Sequence, residues 1–353
     1  MTPVSTATSV PADNRLGHLL FALGLSSDAR HRPAGMTPTP AATIFRDNGA
    51  QLLRFGTAAG VFNSGSPVLV VPSMINRWYV LDLRKGASVI AHLVNAGLDV
   101  YCVDWGDCRD EDRYLTWDDV LTRLGRMVRA TLRCSGSAQA GMLGYCMGAT
   151  LASIYTALHP HQVAALVNLA GPIDFGQAGA LAHMTRPHWF DVDAIASAGN
   201  VAPDQMQSGF TAMRPTLSIG KWVGLADRLD DALSVEAFAA MESWASDNVA
   251  FPAAAYRTYI ADLYQRNLLV AGQHTALGRQ VDLGHITCPT LVVTAARDTI
   301  CPPPAALALL AHVSATEKRA LQVPGGHVGA VIGGRASREL YPAMASWFGQ
   351  HAV

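Results

Sequence analysis

The chain has 353 residues, long enough to bury a large core in one catalytic unit carrying an insertion. Its formal net charge is −1, from 26 Lys and Arg against 27 Asp and Glu, which speaks against the basic footprint of a nucleic-acid binder. Half of the residues are hydrophobic and 15% charged, below the roughly 25% charged of an average soluble protein; apolar surface is therefore expected, for a partner or a water-insoluble product.

In chain order, residues 1–41 form an N-terminal segment rich in Thr, Ser, Pro and Ala, expected to be partly mobile. The apolar stretch Gly17–Leu25 lacks a preceding basic region and a following small-x-small site, so a cytoplasmic location is expected rather than secretion. No apolar run reaches the ~18 residues of a membrane span. The first strands fall between Ala42 and Val71; Val68–Val71 reads as a central parallel strand because it is apolar without alternation. A helix is predicted over Ser88–Ala96, a strand over Leu98–Val103 and an amphipathic helix over Trp117–Leu132. Next come a short apolar strand, Ala138–Leu143, and a helical pattern, Ala149–Leu158, that ends at His159-Pro160; Val163–Ala170 reads as another strand. From Phe175 to Val281 the strand-helix alternation stops. That stretch holds Trp189, Phe190, Trp222, Trp244, Tyr256, Tyr259 and Tyr264. Alternation resumes with the strands Thr290–Ala295 and Ala320–Val323.

Between the strand at 138–143 and the helix at 149–158 stands Gly144-Tyr145-Cys146-Met147-Gly148. A strand, G-x-nucleophile-x-G and a helix form the nucleophile elbow of the α/β-hydrolase fold, here with cysteine in place of serine. The glycines have a steric cause, because the turn is tight and side chains beside the nucleophile would meet backbone. Asp298 follows the strand 290–295, and His327 follows Pro324-Gly325-Gly326 after the strand 320–323. Nucleophile, acid and histidine in that order make Cys146, Asp298 and His327 the candidate catalytic residues. The oxyanion hole is expected from the backbone N–H groups of Met147 and of Met74, in the loop after the central strand. Cysteine shifts the expected chemistry from ester hydrolysis toward acyl transfer through a thioester. The fold is then α/β, with a mostly parallel sheet: residues 42–175 and 282–353 form the core and 176–281 an inserted cap whose aromatics pack its own interior and line an access path. The other cysteines, Cys102, Cys108, Cys134, Cys288 and Cys301, lack C-x-x-C spacing and read as reduced structural thiols. No metal-ligand spacing occurs, and His159 and His161 border a helix.

Residues 72–83, 99–106, 112–119, 144–148, 172–175 and 325–329 resemble, in order, successive blocks of polyhydroxyalkanoate synthases, and the resemblance runs from about Thr37 to Phe348. It implies polymerisation of short (R)-3-hydroxyacyl-CoA units with release of CoA. No cofactor is implied, since the CoA thioester is a substrate. In length the chain resembles the short catalytic subunit of the two-subunit (class III) synthases, which implies a homodimer or a helical second subunit as partner and contact with the growing polyester or a granule surface. Two positions depart from the family pattern: Ala149 stands where the box usually has a further glycine, and Thr299 where a histidine often follows the acid. A cysteine-dependent thioesterase or esterase is the alternative reading of the same three residues.

Overall fold

The computed structural model describes residues 35–213, 225 and 230–352. The start of the N-terminal segment (1–34) and Trp222 lie outside the described residues. What is described of the segment is tied down: Met36 bridges Arg84, and Thr39 donates to the Asp82 carboxylate from its N–H (3.2 Å) and its hydroxyl (2.7 Å).

Twelve strands occur among the described residues: β1 Ala41–Asp47, β2 Ala50–Phe55, β3 Pro67–Val71, β4 Asp82–Arg84, β5 Ala87–Ser88, β6 Asp99–Asp104, β7 Ala140–Tyr145, β8 Val163–Leu169, β9 Thr275–Ala276, β10 Arg279–Gln280, β11 Thr290–Ala295 and β12 Lys318–Val323. Eight of them build one sheet in the order β1-β2-β6-β3-β7-β8-β11-β12. The pairs from β6 through β12 are parallel, while β1-β2 and β2-β6 are antiparallel. β7 begins and ends two residues later than the apolar run alone predicted. Gly144 and Tyr145 pair with Asn168 and Leu169 of β8, so the ladder continues to the residue before Cys146.

Helices cover both faces of the sheet, and this is why its strands read as continuous apolar runs. Leu69 and Val71 of β3 face one core with Trp117, Leu121 and Met127 of α2 (Trp117–Ser135), while Val68 and Val70 face the other with Ile90 and Leu93 of α1 (Val89–Asn95). α2 starts at a capping box, Thr116 with Asp119, and stops at Gly136 in the left-handed region (φ 71°). α3 (Met147–Leu158) is buried along its whole length.

Between β8 and β11 the cap stretch is helical: α4 Gly179–Met184, α5 Val192–Ser197, α6 Pro203–Met213, α7 Ala232–Ser246 and α8 Ala253–Thr258, the last continuing as a π-helix over Tyr259–Gln265. Its only strands among the described residues are the two-residue β9 and β10. The chain closes with α9 Pro303–His312, α10 Gly329–Ile332 and α11 Ala336–His351. Among the described residues, no helix is long and apolar enough to cross a membrane.

Candidate active site

Cys146 is the hinge of the turn from β7 into α3. Its backbone sits at φ 54°, ψ −130°, a conformation that costs a non-glycine residue roughly 1–3 kcal/mol and persists only where the surroundings enforce it. Two hydrogen bonds do so: the Cys146 N–H donates to Leu169 O (3.0 Å) and the Ala149 N–H to Cys146 O (2.9 Å). The glycines are needed for space. A Cβ on Gly148 would lie 2.0 Å from Val71 O, and one on Gly144 2.2 Å from Ala149 Cα. Ala149, the departure from the family box, is accommodated across the turn, because a Cβ at Gly171 would sit 2.3 Å from the Ala149 methyl. Asn168 holds that loop, its side chain accepting from Gly171 N–H (2.9 Å) and donating to Gly171 O (3.1 Å). The half-buried Cys146 thiol thus stands at the N-terminus of α3.

The strand ends supply its neighbours. Asp298, just past β11, accepts the N–H groups of Ile300 and Cys301 on Oδ1, both at 2.9 Å, which leaves Oδ2 for His327. His327 Nδ1 donates to Oδ2 at 2.7 Å, and both side chains are buried. Tyr145 stacks on the imidazole, with ring centroids 5.4 Å apart at 25°. Nε2 is buried without a hydrogen-bond partner. Burial opposes protonation of His327, but the Cys146 charge and the bond to Asp298 outweigh it and push the imidazole up to about 10. The three candidates are therefore brought together, with the imidazole held protonated between the Asp298 carboxylate and Cys146.

Cys146 stands where two cavities meet, with Ile75, Phe210 and Ile300 as shared walls. One, of about 150 Å³, is apolar and walled by the cap through Met206, Tyr256, Tyr259 and Tyr264. The other, of about 280 Å³, holds His327, Tyr145, Ser73, Asn76, Arg77 and Gln207. Arg77 is already engaged, by Asp107 (2.5 Å) and Asp247 (3.0 Å). A third cavity, of about 240 Å³ and bounded by Lys85, His92 and Tyr341, contains none of the three candidates.

Met147 opens α3, so its N–H belongs to the first turn, which lacks intrahelical acceptors. Met74 is buried and lines a small separate cavity with Trp105 and Arg123, whereas its neighbours Ser73 and Ile75 line the Cys146 cavity. The Ile75 N–H is taken by Ser73 Oγ (3.1 Å), and Trp105 Nε1 pins the loop by donating to Pro72 O (3.0 Å). Thr299 lines neither cavity that contains Cys146. Sequence reasoning singled out neither Tyr145 against His327 nor Phe210 between the cavities. Tyr145 was accessible as the residue before the nucleophile; Phe210 carries no local signal.

A family model described as "alpha/beta hydrolase fold" matches residues 67–331, and one for the poly-beta-hydroxybutyrate polymerase (PhaC) N-terminus matches residues 33–93. The chain is 31% identical to the poly(3-hydroxyalkanoate) polymerase subunit PhaC of Thiocystis violacea, over 89% of each chain. It is 32% identical to the protein of that name from Allochromatium vinosum, over 88% of this chain and 89% of that one. Among solved structures, a hydrolase from Pseudomonas aeruginosa superposes with a TM-score of 0.54 at 18% identity, covering 88% of this chain and 98% of the other.

Proposed function

Because the chain belongs to the poly(3-hydroxyalkanoate) polymerases, acyltransferases built on the α/β-hydrolase fold, we propose that it polymerises (R)-3-hydroxyacyl-CoA with release of CoA, carrying the acyl group as a thioester on Cys146. The observation that supports this reading is the buried His327, bonded through Nδ1 to Asp298 and leaving Nε2 unpartnered beside a cysteine at the mouth of an apolar chamber.

The Cys146 thiolate attacks the thioester carbonyl of the substrate. A new C–S bond forms, the C–S bond to CoA breaks, and the His327 imidazolium gives its proton to the departing thiolate. One thioester replaces another, so the step is close to thermoneutral and the acyl group stays activated. The 3-hydroxyl of a second unit then attacks this carbonyl while Nε2 of His327 takes its proton. An oxoester forms, and the Cys146 thiolate and the imidazolium are restored. Asp298 orients the imidazole and compensates its charge. The negative oxygen of each tetrahedral intermediate is assigned to the N–H groups of Met147 and Met74. Water would end the chain early, and the cap residues over Cys146 serve to exclude it.

The working form is a dimer or a complex with a helical second subunit, consistent with the exposed Trp189 and Leu233 of the cap and Tyr114 of the core. Incubation with 3-hydroxybutyryl-CoA tests the whole reading: CoA release together with insoluble polymer is expected, and CoA with soluble acid alone would make the protein a hydrolase. Cys146→Ala should abolish the acyl-enzyme whereas Cys102→Ala should not, and a labelled acyl group on any other cysteine would overturn the assignment.

A further inference from the structure

The apolar chamber beside Cys146 contains a pair of tyrosines that the transfer chemistry does not use. Tyr259 and Tyr264 are five residues apart, and at ~100° per residue an α-helix would turn them toward opposite sides. They lie instead in the π-helix Tyr259–Gln265, whose wider winding is seen at its end, where the Arg266 N–H donates to Ala261 O (3.1 Å), five residues back. That winding brings both rings to one wall of the chamber, 5.4 Å apart and edge to face.

Both rings are immobilised. Tyr259 stacks on Trp117 (5.7 Å, 23°) and meets the edge of Phe175 (5.8 Å), while Tyr264 packs on Phe175 at 4.8 Å. Burial, reinforced by the nearby Cys146 charge, raises both phenols above their ordinary value, so both stay protonated; the Tyr259 hydroxyl donates to the Tyr264 oxygen, which leaves the Tyr264 proton as the uncommitted donor of the pair. A phenylalanine at position 264 would fill the same volume without the desolvation cost that its unmet hydroxyl proton carries into an apolar chamber. An unsubstituted acyl chain leaves that cost standing. An acyl chain with an oxygen at C3 offsets it.

Resting on the proposed acyl transfer, we propose that Tyr259 and Tyr264 are the specificity-determining pair of the acyl chamber: Tyr264 donates to the C3 oxygen of the bound unit, a free hydroxyl in the monomer and an ester oxygen in the chain, and Tyr259 orients it by donating to the Tyr264 oxygen. A site built to hydrogen-bond an oxygen rejects the analogue that lacks it far more strongly than an apolar site rejects a misplaced methylene. The chamber thereby separates 3-hydroxyacyl from plain fatty acyl thioesters.

The test is single-turnover acylation of Cys146, read by intact mass, with 3-hydroxybutyryl-CoA and with butyryl-CoA. The wild type should favour the hydroxylated substrate; Tyr264→Phe should lower that preference by about tenfold, and Tyr259→Phe by a smaller factor, since it removes only the bond that orients Tyr264. The ratio of the two rates within one variant cancels any loss of folded protein. A wild-type ratio near one, or a ratio within twofold of wild type in both single variants and the double variant, overturns the proposal. The same comparison of dissociation constants in a Cys146→Ala background requires no acyl transfer. If wild-type Cys146 is never acylated, the proposed function fails, and this second ratio alone decides the tyrosine pair: a tenfold fall on Tyr264→Phe supports it and an unchanged ratio overturns it.

Discussion

His327 and Asp298 divide the work at the residue scale. In the proposed transfer the imidazole moves the protons, whereas Asp298 acts on it through Nδ1 alone, with its second oxygen committed to the Ile300 and Cys301 N–H groups. His327→Gln should therefore slow acylation itself by about 10²-fold or more, the ordinary contribution of a positioned acid-base group. Asp298→Asn should retain more acylation and lose elongation, where the imidazole must accept a proton from a hydroxyl. Single-turnover acylation by an acyl-CoA lacking a reactive hydroxyl separates the two, and equal complete loss in both variants would remove the division. Because His327 is pushed up to about 10, its proton should remain available to the leaving CoA well above neutrality. Wild-type acylation should then be flat from pH 7 to 9 and fall toward pH 10; a fall centred near pH 7 would contradict the ion pair.

At the scale of elements, the elbow depends on how closely α3 approaches β3. A Cβ at position 148 would meet Val71 O at 2.0 Å and Pro72 O at 2.6 Å, both backbone atoms that no side-chain rotation relieves. Gly148→Ala should destabilise the protein by about 3 kcal/mol in urea unfolding, at the upper end of overpacking effects, and displace Cys146. A variant with wild-type stability and activity would show that the turn is looser than this. A second element, the β4-β5 hairpin, is held by Asp82, which accepts from the Thr39 N–H and hydroxyl and from Ser88 Oγ (2.6 Å) while fully buried. Burial raises this carboxyl to about 6 against the opposing pull of those hydrogen bonds. Its folded value lies above the unfolded ~3.9, so the native state holds the extra proton between about pH 4 and 6, and stability falls as pH rises through that window, by about 3 kcal/mol from this group. Asp82→Asn should flatten the decline in unfolding free energy between pH 4 and 6.5; a slope parallel to wild type would mean that Asp82 titrates normally.

For the whole molecule, much of the apolar surplus in the composition is absorbed by the two cores on either side of the sheet. The remainder is at the surface, where Trp189 is 52% and Leu233 70% exposed in the cap stretch and Tyr114 76% exposed in the core. These side chains suit a partner or a polyester surface more than water. The isolated chain is expected to show a lag or weak activity that a helical partner subunit or self-association relieves. Light scattering during turnover checks this, and a chain that stays monomeric and polymerises without lag at nanomolar concentration would defeat it.

Most of the core elements were legible along the chain in order and type, because buried parallel strands and amphipathic helices carry their signal within a few consecutive residues; the short β4-β5 hairpin and the helices α9–α11 were not read. β11 matches its predicted range, Thr290–Ala295. Strand ends and chain order also singled out Cys146, Asp298 and His327 as candidates, which the fold brings side by side. What lay beyond the sequence depends on contacts between distant segments. β7 runs on to Tyr145 because β8 offers partners there, and Ala149 fits because residue 171 is glycine. The five-residue spacing of Tyr259 and Tyr264 belongs to neither helical nor strand periodicity, and only the π-helical winding of that segment places both rings on the chamber wall. How Cys146 is enclosed follows from tertiary contacts, for the walls of the two cavities come from segments more than a hundred residues apart, and no local pattern encodes their meeting.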